Sequence, residues 1–204
     1  MNLQKLSATA KRLDTFFRIL QKFLIVCLIT VPSILLVLTI AAAIRPGITI
    51  GTNLNIIDFG NISITLAEAY TPENGRILLY SWIISVLAAC GALIGYLGLR
   101  CIRRILTPMI EGKPFHQNIS RELRKLSFLC LAFGILQNIT SAAATVTGLY
   151  AFHLHRLLES GVIQSVNANL QFDLTFLIAF FLLLLMSYIF AYGAELQTLS
   201  DETL

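Results

Sequence analysis

Two histidines stand two residues apart, His153 and His155, and four cysteines, Cys27, Cys90, Cys101 and Cys130, are spread through the chain. These are zinc-binding residue types, and a zinc site needs several of them converging on one point. The spacing does not supply that. No C-x-x-C pair occurs, and on a helix His153 and His155 would point to nearly opposite sides. His116 stands alone. There is no H-E-x-x-H, G-x-S-x-G or P-loop pattern. The sequence therefore points away from an enzyme, with no catalytic, metal or cofactor-binding residue to assign. The cysteines read as reduced, small apolar residues.

What the spacing does offer is electrostatic. The stretch RRILTPMIEGKPFHQNISRELRKLS, residues 103–127, is basic and polar, and long apolar runs flank it. Pro108, Gly112 and Pro114 punctuate it, so it reads as an elbow (100–125) between two helices, with Asn118 or Ser120 capping the second. Phe115 is a large apolar residue in a polar turn and must bury itself, enter the membrane interface or meet a partner. The tail AELQTLSDETL, 194–204, carries Glu195, Asp201 and Glu202. The candidate partner-binding residues are thus Lys113, Pro114, Phe115, Asn118 and Arg121 of the elbow, with Glu195, Asp201 and Glu202 of the tail. Opposite charges on the two would form a clamp that opens easily, since exposed pairs contribute only about 0–1 kcal/mol each. The plainer alternative is that the basic residues only set topology and hold the lipid surface.

The elements that position these residues follow from composition. Of the 204 residues 56% are hydrophobic and 13% charged, and the mean hydropathy is +0.78. A soluble domain carries about 25% charged residues. Four apolar runs, 23–44, 77–99, 126–152 and 174–193, each approach or exceed the roughly 20 residues a helix needs to cross the bilayer. In hydrocarbon such runs must be helical, because lipid offers the backbone no partner. The expectation is an all-α, integral membrane four-helix bundle, one membrane domain over 1–204. The first run is longer than a signal-peptide core and reads as a retained anchor.

Direction follows from Lys and Arg placement. Residues 1–22 hold Lys5, Lys11, Arg12, Arg18 and Lys22, and the elbow holds Arg100, Arg103, Arg104, Lys113, Arg121, Arg124 and Lys125. The other two connections hold only Arg45, Arg76 and Arg156, so the bias is twelve against three. Basic residues stay in the cytoplasm. Both termini and the elbow are expected there, in a multi-pass protein of the bacterial inner membrane.

Residues 1–22 place Leu3, Leu6, Ala10, Leu13, Phe17 and Leu20 on one stripe. They read either as an amphipathic helix in the headgroup layer or as an extension of the first span. The outer loop 45–76 contains ITI (48–50) and NISITL (61–66), which suggest a small β-hairpin, either a lid or a ligand site. GALIG in the second span brings Gly91 and Gly95 four apart, a spacing that lets helices approach closely. The third span is the expected neighbour, with Gln137, Asn138 and Ser141 facing inward as interhelical hydrogen-bonding groups. Trp82 and Tyr80 suit one interfacial belt, Tyr188 and Tyr192 the other. No charged residue lies mid-span, which argues against pumps, proton-coupled carriers and voltage sensors.

Two segments also carry a likeness. GKPFHQNISRELRKLS after the second span and YGAELQTLSDETL closing the fourth resemble a bacterial family of small four-span membrane proteins, the YoaS-like group. Its G-[KR]-P-F turn followed by Asn is matched by Gly112, Lys113, Pro114, Phe115 and Asn118. Its closing Gly, Leu-Gln and Asp-x-Thr are matched by Gly193, Leu196, Gln197, Asp201 and Thr203. The resemblance implies no established activity. It implies a membrane partner for a cytoplasmic helix-turn-helix transcriptional regulator, with membrane lipids as the other contact and no direct binding of nucleic acid. The reading from residues alone is a membrane-anchored sensor or regulatory partner. The alternative is a protein that binds or moves lipid, or another apolar small molecule, in a cavity along Gln137, Asn138, Ser141 and Thr145.

Overall fold

The structure, a computed structural model, describes residues 3–44, 54–58, 62–70, 74–110, 117–151, 163–168 and 172–202. Its helices are α1 (Leu3–Ile44), α2 (Asn74–Ile110), α3 (Gln117–Ala151) and α4 (Thr175–Glu202). Its strands are β1 (Leu54–Asp58), β2 (Ile62–Tyr70) and β3 (Ile163–Ala168). All four helices are long and apolar enough to cross a membrane.

The helices run longer than their apolar cores. At about 1.5 Å per residue, the 42 residues of α1 reach about 63 Å, twice the roughly 30 Å of a hydrocarbon core. Residues 3–22 are therefore not an element of their own; they form the first turns of α1. Likewise α2 passes through Pro108 to Ile110, although that proline has no N–H to donate to the Arg104 carbonyl. Asn118 and Ser120, expected as caps, lie inside the first turn of α3. The tail continues α4 to Glu202. In α1, α2 and α3 several hydroxyls bond within their own helix. Thr15, Ser33, Thr107, Thr140, Thr145 and Thr147 each donate to the carbonyl four residues back.

The chain divides into two compact units. The first comprises Met1–Val26, Gly91–Ile135 and Asp173–Leu204. In it the helices pair in sequence order, each antiparallel to the next: Leu24 of α1 meets Gly95 of α2, Gly98 of α2 meets Leu126 of α3, and Gly134 of α3 meets Phe176 of α4. The closest approach is the last. A Cβ added at Gly134 would overlap the Phe176 side chain, whereas one added at Gly95 or Gly98 would stand 3.9 or 3.7 Å from a leucine methyl, an ordinary contact. The glycine of GALIG at 95 thus stands nearest to α1, and of Gly75, Gly95, Gly98 and Gly134 the last is the one where a Cβ would collide.

The second unit comprises Cys27–Cys90 and Leu136–Phe172. It holds a three-stranded antiparallel sheet in the order β1-β2-β3. Ile57 pairs with Ile64 and Asp58 with Ser63, while Ile64 also pairs with Val166 on the other side. The expected hairpin is present in part. Its second strand is β2, but its partner is β1 at 54–58, and 48–50 lies outside the described residues. The third strand comes from the connection before α4, where IQSVNA shows too little alternation to announce a strand. In this unit the Trp82 indole donates to the Thr39 hydroxyl at 3.3 Å, joining α2 to α1, and the Arg76 guanidinium stands 5.4 Å over the Tyr150 ring, joining α2 to α3.

Candidate functional site

The site is built around two adjacent arginines of α2. Consecutive helical residues project about 100° apart, so Arg103 and Arg104 reach different neighbours. Arg103 turns to α1. Its Nε donates to Asp14 Oδ1 at 2.7 Å, and its Nη1 donates to Gln21 Oε1 at 2.9 Å. Gln21 is buried, and Asp14 also accepts from Arg18 at 3.0 Å. Arg104 turns to α3, where its Nη1 lies 3.5 Å from Glu122 Oε1. Lys125 donates to the same oxygen at 2.8 Å. Glu122 is only 7% exposed, and its second oxygen, Oε2, is buried without a hydrogen-bond partner among the described residues. The buried Cys101 thiol, one turn before Arg104, lies within electrostatic reach of that carboxyl.

Two more contacts continue the series to α4. The fully buried Ser187 hydroxyl donates to the Ser120 carbonyl at 2.8 Å, and the Arg124 guanidinium lies 5.4 Å over the Tyr188 ring. At this end of the first unit, polar contacts therefore fasten α1 to α2, α2 to α3 and α3 to α4. In each of these ion pairs the cation keeps solvent, Arg103 31%, Arg104 51% and Lys125 50% exposed, so each pair contributes about 1 kcal/mol or less. The arrangement links neighbouring helices through polar contacts. No group of three or more His, Cys, Asp or Glu side chains that could hold a metal occurs among the described residues.

The expected site residues divide between seen and unseen. Lys113, Pro114 and Phe115 lie outside the described residues, as do His116, His153 and His155. Asn118 and Arg121 are exposed at the start of α3, and Glu195 and Glu202 are exposed on the last turns of α4. Asp201 lies in the same last turns. No ion pair joins Glu195 or Glu202 to the elbow among the described residues; Arg103 pairs with Asp14, and Arg104 and Lys125 pair with Glu122. Gly91, Asn138 and Ser141 are half-buried. Gln137 is exposed, against the expectation of an inward amide. Ser141 accepts the Thr145 hydroxyl through its carbonyl, a bond within one helix. The four cysteines are free, Cys101 buried and Cys90 exposed.

Sequence reasoning passed over Asp14, Gln21, Glu122 and Ser187. A readable signal did exist for two of them. Asp14 stands alone among Lys11, Arg12, Arg18 and Lys22, and Glu122 among Arg121, Arg124 and Lys125. One acid inside a basic run beside an apolar span marks an internal partner for a neighbouring helix.

No family model, curated protein or solved structure matches this chain.

At the opposite end of α4, Asp173 caps the helix. Its Oδ1 accepts the Thr175 N–H at 2.8 Å. The hydrogen bonds from Thr175, side chain first and backbone second, hold the Asp173 carboxyl below the usual aspartate range.

Proposed function

We propose that this chain is a non-enzymatic, multi-pass protein of the bacterial inner membrane, a four-helix bundle with both termini in the cytoplasm, serving as a membrane-anchored sensor or regulatory partner. The elbow and tail would meet a cytoplasmic protein, and the resemblance to the YoaS-like group makes a transcriptional regulator the first candidate. One observation carries this reading. The polar contacts at the elbow end are inward ties between helices, while Arg121, Glu195 and Glu202 remain exposed around them. A braced platform with outward charges of both signs suits a polar, reversible protein contact. The twelve-to-three bias of basic residues supports the cytoplasmic placement of that platform.

The test is co-purification from detergent extracts, comparing the wild-type chain with Phe115→Ala and Arg121→Glu. A specific cytoplasmic companion should be recovered and then lost on substitution. Recovery of none, or of one indifferent to both changes, would refute the reading. Sidedness is tested separately with a cysteine placed at position 113, which an impermeant maleimide should leave unlabelled in intact cells. The alternative, a lipid-filled cavity along Gln137, Asn138, Ser141 and Thr145, has less support, because Gln137 is exposed and the Thr145 hydroxyl bonds within its own helix.

A further inference from the structure

The antiparallel seam of α3 and α4 carries a basic and aromatic group that the internal ties do not use. Arg124 projects from α3 and is exposed, with its guanidinium carbon 5.4 Å from the centre of the Tyr188 ring of α4. Arg121 stands three residues earlier, on the same side of α3, and is also exposed. Neither arginine takes part in the ion pairs with Asp14 or Glu122. One turn further into α3, Phe128 packs edge-on against Phe180 of α4 with ring centroids 5.7 Å apart, and Phe180 packs in turn against Phe181 at 5.1 Å. Phe128, Phe181, Leu185 and Tyr188 are each more than half exposed.

We propose that this seam is a binding site for one anionic phospholipid. The cation–π contact holds the guanidinium beside the seam, and its N–H donors can fork onto a phosphate. Arg121 adds a second cation beside it. An acyl chain then lies along Phe128, Phe181 and Leu185, continuous with the basic head of the site. This order, cations at the helix ends and apolar surface running away from them, matches a lipid with a charged head. A soluble phosphate would leave the apolar half uncovered. The proposal rests on the reading of the chain as a membrane protein, but not on the direction in which it crosses.

The test uses the full chain, extracted in detergent and titrated with phosphatidylglycerol or phosphatidylcholine under native mass spectrometry. The wild-type protein should retain one phosphatidylglycerol in preference to phosphatidylcholine. Arg124→Lys keeps the charge but loses the planar fork, and Tyr188→Leu keeps the apolar bulk but loses the cation–π contact; each should weaken retention about fivefold. Lys11→Gln with Arg12→Gln removes two exposed charges from α1 and should leave retention unchanged. Inorganic phosphate alone should not displace the lipid. Equal loss in the α1 variant would overturn the proposal in favour of bulk charge, and displacement by phosphate would overturn it in favour of a soluble anion. Failure of the underlying membrane reading would show differently, as release of the protein by an alkaline wash without detergent.

Discussion

Replacing Gly134 by alanine tests the packing most sharply. The added Cβ would overlap Cγ, Cβ and Cδ1 of Phe176. Two of these atoms sit at the root of the side chain, so Phe176 cannot swing a flexible tip aside; α3 and α4 must part or the ring must leave its rotamer. Overpacking of this kind costs about 1–3 kcal/mol, and the upper half applies when atoms near the backbone collide. Alanine recovers about 0.8–1.0 kcal/mol of helix propensity over glycine, leaving a net loss of about 1–2 kcal/mol. Three internal controls have the opposite expectation. A Cβ at Gly75 meets nothing within 4 Å, and those at Gly95 and Gly98 meet only leucine methyls at 3.9 and 3.7 Å. Alanine at these three should be neutral or slightly stabilising. The assay is unfolding in mixed micelles followed by circular dichroism, completed by a double-mutant cycle with Phe176→Ala. That cycle should show a coupling of about 0.5–3 kcal/mol, because the smaller side chain makes room for the new methyl. Gly134→Ala matching Gly95→Ala in stability, or zero coupling to Phe176, would refute the argument.

The Asp14–Arg103 contact should be worth about 1 kcal/mol, since both side chains keep some solvent, 19% and 31% exposed. Asp14→Asn and Arg103→Gln should each destabilise the chain in micelle unfolding, and the double variant should lose less than the sum; strict additivity would deny the contact. At the other end of α4, the Asp173 carboxyl is held below its ordinary value, so the cap it makes is fully present above the usual aspartate range and is lost as pH falls through the lowered value. The Thr175 amide resonance should therefore titrate with a midpoint below about 3.9, the free aspartate value. A midpoint at or above that value would remove the cap from the account, and Asp173→Ala should abolish the titration altogether.

Much of the fold was legible in the order of residues. Runs such as 77–99 and 174–193 are helices long enough for a bilayer because the constraint is one-dimensional: an unbroken apolar run in hydrocarbon has one way to satisfy its backbone. The end of the second helix ahead of the elbow was legible to within a few residues, since glycine and proline act locally. Other features were not. Pattern alone offered two readings of residues 1–22, and continuous helix prevails in α1 because nothing between residues 3 and 44 breaks it except Pro32, which a helix tolerates. The strand β3 was invisible because its stability comes from pairing with β2, about a hundred residues earlier in the chain.

The sequence by itself determined the amounts: how much apolar length, how many crossings it allows, and on which segments the positive charge gathers. Tertiary structure decided the partners. Gly95 of GALIG meets a leucine methyl of α1, whereas Gly134 stands hard against Phe176; Arg103 pairs with Asp14 of α1, and Arg104 with Glu122 of α3. The reason is geometric. Hydropathy is a property each residue carries alone, whereas a contact depends on the rotation of two helices about their axes, and a turn of about 100° per residue hands Arg103 to one neighbour and Arg104 to another.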